Sequence, residues 1–253
     1  MLRCVLILLL FLTASCARPP EPVWTKVPTA ADLLQRLDET TGKVASLDTA
    51  ASVSLTIDGK YLSSQQFLLV EQPNRLRVDV LTGFGQLILQ LTSDGEELAV
   101  FLNTTVPGRF FRGAASDENL ARFTRLPLSA SRMVRLLLYS PSLIAYRQSE
   151  VSVVDEGKLK LRLIGETREQ ELLFDQQLHL IGCRYLAHAE LFLGVQYLKL
   201  DADDQFPRRI QIELPAEKTR LAFNFTELKT NVGIDSALFR LKKPANIPVE
   251  VLP

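Results

Sequence analysis

Apolar and polar side chains alternate along most of this 253-residue chain. Ala51, Val53 and Leu55, for example, alternate with small hydroxyl side chains, and similar runs follow with short turns between them. A period of two predicts half-buried strands, and short turns predict antiparallel pairing of neighbours. The strands predicted in the first half are residues 51–57, 61–70, 76–80, 87–91 and 98–102.

The second half of the chain returns to the same pattern after an interruption. Lys158, Lys160 and Arg162 lie opposite leucines, which predicts one wet and one apolar face. In 191–200 both faces are apolar, so the inward face stays undecided. The strands predicted here are 158–164, 170–174, 179–186, 191–200, 208–214 and 221–228.

Together these runs predict a mainly β (α+β) protein. About eleven antiparallel strands in one series fit a single unclosed, strongly curled barrel better than two separate domains. Such a wide sheet must be filled by helices, by a ligand, or by both.

Three segments have helical spacing and supply the filling. The first, 30–45, follows Thr29 with Asp32 three residues later, the pattern of a capping box. Segments 116–126 and 129–139 begin at the N-cap candidates Ser116 and Ser129. We expect these amphipathic helices to form a lid or plug over an apolar cavity.

Strand parity and helical spacing also predict which side chains line that cavity. No charged group is expected inside, so the expected ligand is apolar. The predicted lining residues are Leu55, Val78, Leu89, Val100, Phe123, Leu137, Leu193, Ile212 and Phe223.

An aromatic residue lies between two glycines in one predicted turn. Phe84 is flanked by Gly83 and Gly85, at a place where hairpin turns usually carry Asn, Asp, Gly or Ser. Two interpretations remain open. Phe84 either folds back onto the sheet as part of the core, or forms an exposed apolar tip that contacts lipid or a partner.

The N-terminal residues have the composition of an export signal. Arg3 precedes an apolar run that ends at Leu12, is too short to span a bilayer, and leads through small residues to Cys16. This order resembles the lipobox of bacterial lipoproteins, in which 1–15 are removed and Cys16 is acylated. The alternative is an ordinary cleaved signal with an incidental Cys16. Residues 16–28 would then be a proline-rich tether, and 29–253 a single domain.

Composition excludes some classes of partner. The 29 basic residues balance 29 acidic ones, so no strong field recruits nucleic acid. If Cys4 leaves with the signal and Cys16 is acylated, Cys183 has no partner for an intramolecular disulfide. We expect Cys183 to be a small buried side chain, with a reactive thiol as the alternative.

The residues with catalytic potential are few and scattered. His179 and His188 have no nucleophile motif to serve, so no catalytic residues are predicted. Asp201, Asp203 and Asp204 are typical of a solvated loop, with a weak cation site as the alternative. No metal site and no cofactor are expected, although an enzyme remains a rival hypothesis.

In element order and hydrophobic pattern the chain resembles the LolA/LolB group of bacterial lipoprotein-trafficking proteins, and within it LolB. The resemblance rests on the lipobox ending at Cys16, on the N-terminal helix, and on the stretches 73–91, 119–127 and 128–138. Leucine stands in that group where Phe84 stands here, and Thr13 replaces the leucine common in such boxes.

The resemblance implies an open antiparallel barrel whose helical lid encloses a cavity for acyl chains. It places Gly83, Phe84 and Gly85 on a protruding loop that passes cargo into the membrane. It further implies a non-catalytic monomer, held in the outer membrane by Cys16 and facing the periplasm. Such a protein accepts acylated lipoproteins from a LolA-like carrier and inserts them into the outer membrane. The alternative is an envelope lipoprotein of the same fold that binds another lipid or a protein partner.

Overall fold

The computed structural model describes residues 24–253, so the predicted signal peptide, Cys16 and most of the tether lie outside the described residues. Between Trp24 and Pro253 the chain forms α1 (Ala30–Thr40), α2 (Asp117–Thr124) and α3 (Ala130–Leu137). The strands are β1 (Ser46–Ile57), β2 (Lys60–Glu71), β3 (Arg75–Leu81), β4 (Leu87–Ser93), β5 (Glu97–Leu102), β6 (Arg109–Ala114), β7 (Gln148–Val153), β8 (Leu159–Ile164), β9 (Arg168–Phe174), β10 (Leu180–Ala187), β11 (Glu190–Leu200), β12 (Pro207–Leu214), β13 (Thr219–Thr230) and β14 (Val249–Val251).

Within the described chain, all 14 strands belong to one sheet. Its order is β14-β6-β5-β4-β3-β2-β1-β13-β12-β11-β10-β9-β8-β7. Neighbours pair antiparallel, except that β14 pairs in parallel with β6. The edge strands β7 and β14 do not pair with each other, so the sheet does not close. The predicted fold class, a mainly β unclosed curled sheet with helices, is therefore confirmed.

Three strands were not predicted. The strand β6 has two adjacent aromatics, Phe110 and Phe111, that are both buried, so it does not alternate. The edge strand β7 is polar and mostly exposed, and β14 has only three residues in a proline-containing tail. None of these segments has the half-buried environment that produces a period of two.

The turns of the antiparallel meander fall at two ends of the sheet. The β1–β2, β3–β4 and β5–β6 turns share one end, which we call the tip end. The β9–β10 turn, which contains Gln177, lies at the opposite end. Because every strand reverses direction, this assignment follows from the pairing order alone.

The helix α1 begins with the predicted capping box. The Thr29 hydroxyl accepts a hydrogen bond from the Asp32 N–H, and the Asp32 carboxylate accepts one from the Thr29 N–H at 2.8 Å. The helix ends at Thr40, five residues before the predicted end at 45. Gly42 has a φ of +77°, a left-handed conformation that turns the chain away from the helix. The buried Leu33 and Leu37 attach α1 to the core.

Aromatic side chains fill the half of the barrel formed by β8–β12. Tyr139 follows α3, and its ring meets that of Tyr197 edge to face with the centroids 4.7 Å apart. The Tyr139 hydroxyl donates to the carbonyl of Leu180 at 2.7 Å, and the Tyr185 hydroxyl donates to that of Ser142 at 2.7 Å. The connection between α3 and β7 therefore packs into this half, and empty space remains over β1–β4.

The last residues cross the sheet on the face opposite the helices. Phe239 is buried against this face, and the backbone N–H of Leu241 donates to the Thr92 hydroxyl on β4 at 3.1 Å. Arg240 forms an ion pair with Asp94 at 2.8 Å. A Cβ atom at Gly113 would lie 2.6 Å from Leu252 Cβ, so the close approach of β14 to β6 requires glycine. No helix within 24–253 has the length and apolar character needed to cross a membrane.

The two packed tyrosines give a matched test of the filled half. The Tyr197 hydroxyl is buried and has no hydrogen-bond partner among residues 24–253, whereas the Tyr139 hydroxyl has one. We expect Tyr197→Phe to raise the free energy of unfolding by about 1 kcal/mol and Tyr139→Phe to lower it by about 1–2 kcal/mol. Urea denaturation followed by circular dichroism measures both, and a loss of stability in Tyr197→Phe would contradict this packing.

Candidate functional site

An apolar cavity of about 350 Å³ lies between the inner face of the sheet and the helices α2 and α3. The walls are formed by β1–β4 and β13, and the helices contribute Phe123, Met133 and Leu137. Among the described lining residues none is charged; the polar ones are Ser63, Ser64, Gln66 and Thr124. This volume is near the lower end of the range for ligand sites, roughly 300–1,000 Å³, and suits one alkyl chain.

The register between β3 and β4 determines which of their side chains form the apolar wall of the cavity. Val78 pairs with Leu91, and Val80 pairs with Leu89, so these four side chains share the inner face of β3 and β4. On α3, Met133 precedes Leu137 by one turn, which puts both on the face toward the sheet.

The cavity opens at the tip end of the sheet. At its closed end Leu68 and Leu76 are each 1% exposed, whereas Leu62, near the start of β2, is 60% exposed. Leu62 pairs with Leu55, which lies two residues before the end of β1 and the β1–β2 hairpin turn. A ligand therefore enters or leaves beside the hairpin turns.

Six of the nine predicted lining residues surround this cavity: Leu55, Val78, Leu89, Phe123, Leu137 and Phe223. The other three, Val100, Leu193 and Ile212, do not line it and are instead buried in the core. Val100 pairs with Phe111, whose ring lies 5.2 Å from that of Phe123 and fills the space above β5. Leu193 and Ile212 lie on β11 and β12, in the half filled by aromatics.

Sequence reasoning missed several lining residues. Leu62 and Val80 have the same parity as the predicted positions and were accessible to that argument. Ile88 was not, because it is the extra residue where the register between β3 and β4 shifts, so alternation does not predict its direction.

The β3–β4 turn presents Phe84 to solvent. Its side chain is 98% exposed, so of the two interpretations the structure supports an exposed tip and not a core position. The Thr82 hydroxyl accepts hydrogen bonds from the N–H groups of Phe84 at 3.3 Å and Gln86 at 3.1 Å. Gly85 has a φ of +78°, and its N–H donates to the Thr82 carbonyl at 2.9 Å. The turn is thus held in one shape by its own polar groups.

A larger concavity of about 790 Å³ lies on the opposite face of the sheet, across β8–β13. It is lined by ion pairs, including Arg184 with Glu171 at 2.7 Å and Arg220 with Glu213 at 3.2 Å. Charged groups that are paired and solvated do not favour an apolar ligand. The cavity under α2 and α3 is therefore the candidate site.

The remaining chemically active groups are separated. His179 precedes β10 and contacts the Asp175 carboxylate at 3.1 Å, whereas His188 follows β10 at the other end of the sheet. Cys183 is buried, burial raises the pKa of its thiol to about 11, and the Gln170 amide donates to its sulfur at 3.2 Å. No group of residues within 24–253 has the composition and spacing of a metal site.

A single arginine pairs with two of the three carboxylates in the acidic loop after β11. The Arg208 guanidinium contacts Asp201 at 2.9 Å and Asp204 at 3.1 Å. The backbone N–H of Asp203 and the Arg208 guanidinium both lower the pKa of Asp201. This agrees with the interpretation of the cluster as a solvated loop.

The sheet order, the helices on its inner face and the cavity beneath them define a LolA-like fold. A LolA superfamily protein from Nitrosomonas europaea superposes with a TM-score of 0.53 at 13% identity, covering 84% of this chain and 98% of that one. A Vibrio parahaemolyticus domain described as outer membrane lipoprotein-sorting gives 0.52 at 11% identity, covering 84% and 100%. A DUF1329 family protein from Desulfovibrio piger gives 0.52 at 14% identity, covering 83% and 95%.

The sequence matches no protein-family profile and no curated protein. At identities this low the structural likeness shows the fold alone. What the cavity holds must therefore be argued from its own geometry and chemistry.

Filling the cavity tests whether it takes up an alkyl chain. We expect Leu89→Trp to reduce uptake of a fluorescent fatty acid at least about tenfold, because the indole occupies volume that the ligand needs. Fluorescence titration measures this, with Phe67→Trp as the matched control. Phe67 is 54% exposed on the outer face of β2, so its replacement leaves the cavity unchanged. Normal uptake by Leu89→Trp would place the ligand elsewhere.

Proposed function

We propose that this protein receives acylated lipoproteins and passes them into the outer membrane without catalysing a reaction. The observation that carries this proposal is the position of the cavity mouth. An uncharged cavity of about 350 Å³ opens at the same end of the sheet that exposes Phe84. A ligand leaving the cavity would therefore emerge beside an apolar tip.

The energetics favour a protein carrier for such a cargo. Each methylene exposed to water costs about 0.8 kcal/mol, so a chain of about fifteen carbons costs on the order of 10 kcal/mol. A cavity that shields one chain removes much of this cost. Delivery then needs only that the cavity binds the chain more weakly than the bilayer does, and it needs no catalytic group.

The location follows from the predicted N-terminus. Under this proposal Cys16 carries the lipid anchor, residues 17–28 form the tether, and the body faces the periplasm as a monomer. The Trp24 indole N–H donates to the Gly157 carbonyl at 2.7 Å, so the tether already contacts the body at Trp24. Its partners would be a LolA-like periplasmic carrier, the acyl chains of the cargo, and the outer membrane.

A second candidate function uses the same cavity. The protein would be an envelope lipoprotein that binds another lipid or a protein partner, and Phe84 would be a binding residue. The aromatic residue at the tip supports this second function, because Phe84 is larger and stiffer than the leucine found at this position in the LolB group. Aromatic side chains are nevertheless favourable at membrane interfaces.

Transfer of an acylated lipoprotein from a soluble carrier into liposomes separates the two functions. We expect Phe84→Glu to keep fatty-acid uptake but to slow delivery at least about tenfold, because a carboxylate is costly to place in the interface. Gln177→Glu is the matched control, since it adds the same charge at the opposite end of the sheet. Both variants are compared with the parent protein; all three proteins start at residue 16 and carry Cys16→Ser, so that the predicted signal peptide and the lipid anchor are absent.

Two outcomes would contradict the proposal. Delivery at the normal rate by Phe84→Glu would remove the tip from the transfer step. If the unchanged chain takes up fatty acid but accepts no lipoprotein, the second candidate function holds instead.

A further inference from the structure

A second apolar side chain projects from the tip end of the sheet. Val106, in the β5–β6 turn, is fully exposed at 102% of the reference value. The residues of this turn, Asn103 to Gly108, contain no charged side chain, and neither do residues 82–86 around Phe84. In a chain whose composition is 23% charged, two neighbouring turns of this kind need a physical explanation.

The two turns are tied to the same strand. The Asn103 backbone N–H donates to the Ile88 carbonyl at 2.8 Å, and its side-chain amide donates to the Leu87 carbonyl at 3.1 Å. Leu87 and Ile88 begin β4 immediately after the Phe84 turn. The hairpins containing Phe84 and Val106 are therefore adjacent, with their centres about 10 Å apart, or two strand spacings.

Each turn forms hydrogen bonds within itself, and those of the Phe84 turn involve its backbone N–H groups. Thr82 accepts from two backbone N–H groups of the first turn, and the Thr105 hydroxyl donates to the Pro107 carbonyl at 2.9 Å. A backbone N–H or C=O group without a hydrogen-bond partner costs roughly several kcal/mol in hydrocarbon. Hydrogen bonds within a turn therefore lower the free-energy cost of entering the edge of a bilayer. Charged side chains on these turns would raise it again.

We propose that Val106 and Phe84 enter the headgroup–acyl boundary of a lipid bilayer together, and hold the cavity mouth at Leu62 against it. This inference deepens the proposed function and rests on it for what the cavity delivers. Two contacts about 10 Å apart limit tilting of the barrel along the line that joins them, whereas a single tip lets it tilt in every direction.

A bilayer fits this surface better than a protein does. The centre of a protein interface is a continuous, closely packed apolar patch. Here the two side chains stand on separate turns with glycine and hydroxyl residues around them, so each projects alone. Beside them, the apolar cavity opens at Leu62, which matches an acyl chain moving to or from the bilayer.

Vesicle flotation tests the proposal. Residues 16–253 carrying Cys16→Ser, and therefore without the predicted signal peptide and Cys4, are mixed with vesicles of phosphatidylethanolamine and phosphatidylglycerol, and the bound fraction gives a partition coefficient. We expect Val106→Glu to lower this coefficient about tenfold, and the double variant with Phe84→Glu to lower it further. Gln177→Glu, at the opposite end, should leave it unchanged.

A positional readout accompanies the flotation. Val106→Cys labelled with an environment-sensitive dye should shift its emission to the blue when vesicles are added, whereas Gln177→Cys should not. The buried Cys183, with its raised pKa, does not compete for the label in the folded protein. Fatty-acid uptake by Val106→Glu checks that the fold and the cavity are intact.

Vesicle binding that is absent in the unchanged chain, or unaffected by Val106→Glu, would overturn the proposal and favour a protein at these turns. The result is distinguishable from failure of the proposed function. If the unchanged chain accepts no lipoprotein but Val106→Glu still weakens vesicle binding, the membrane contact stands and the proposed cargo does not. If delivery depends on Phe84 alone, the proposed function stands and the role of Val106 does not.

Discussion

The pairing of β1 with β13 is the constraint on which the rest of the structure depends. It joins strands about 170 residues apart in the chain, from Leu47 with Thr230 to Ile57 with Thr219. Polar contacts hold this pair at the end opposite the tip end, where the Ser46 hydroxyl donates to the Val232 carbonyl at 2.6 Å. The Asn231 side chain also accepts from the Ala45 N–H and donates to the Lys43 carbonyl. Without this β1–β13 pairing, which we call the seam, the chain would form two separate meanders, and neither would enclose a cavity.

The seam also separates two halves that are filled in different ways. On the β8–β12 side, Tyr139, Tyr185 and Tyr197 occupy the interior together with the connection that follows α3. On the β1–β4 side, the leucine and valine side chains are shorter, and the helices above them leave space. A protein interior is close-packed wherever its side chains allow. The cavity therefore lies on the side where the side chains are too small to fill the space between the sheet and the helices.

Much of this architecture could be predicted from local patterns, and the exceptions have physical causes. The alternation of Lys160 and Arg162 with leucines predicted β8 because one face of that strand is wet and the other is not. Phe110 and Phe111 gave no such pattern because both faces of β6 are buried. Strand parity and helical spacing put six of the nine predicted residues on the cavity wall, but Leu193 and Ile212 have the same parity signal and lie in the filled half. The difference depends on where a distant connection packs, which no local period records.

The Phe84 turn shows a similar limit. The glycines on either side indicated an unusual turn, yet the direction of the aromatic ring depends on hydrogen bonds from two N–H groups to Thr82.

The N-terminal helix could be predicted at its start, where a capping box is a local signal, but not at its end. The Thr40 and Thr41 hydroxyls donate to carbonyls of the last helical turn, and the left-handed Gly42 follows, so the helix ends five residues early.

The C-terminal segment has a mechanical consequence for the cavity. By packing on the outer face of β3 and β4, it buries on both sides the strands whose inner face forms the cavity wall. A sheet clamped between two layers bends little, so this wall is the stiff side of the cavity. The compliant side is the short pair α2 and α3, eight residues each. Volume changes that accommodate ligands of different length would then be taken up by small displacements of these helices, while the strands keep their register.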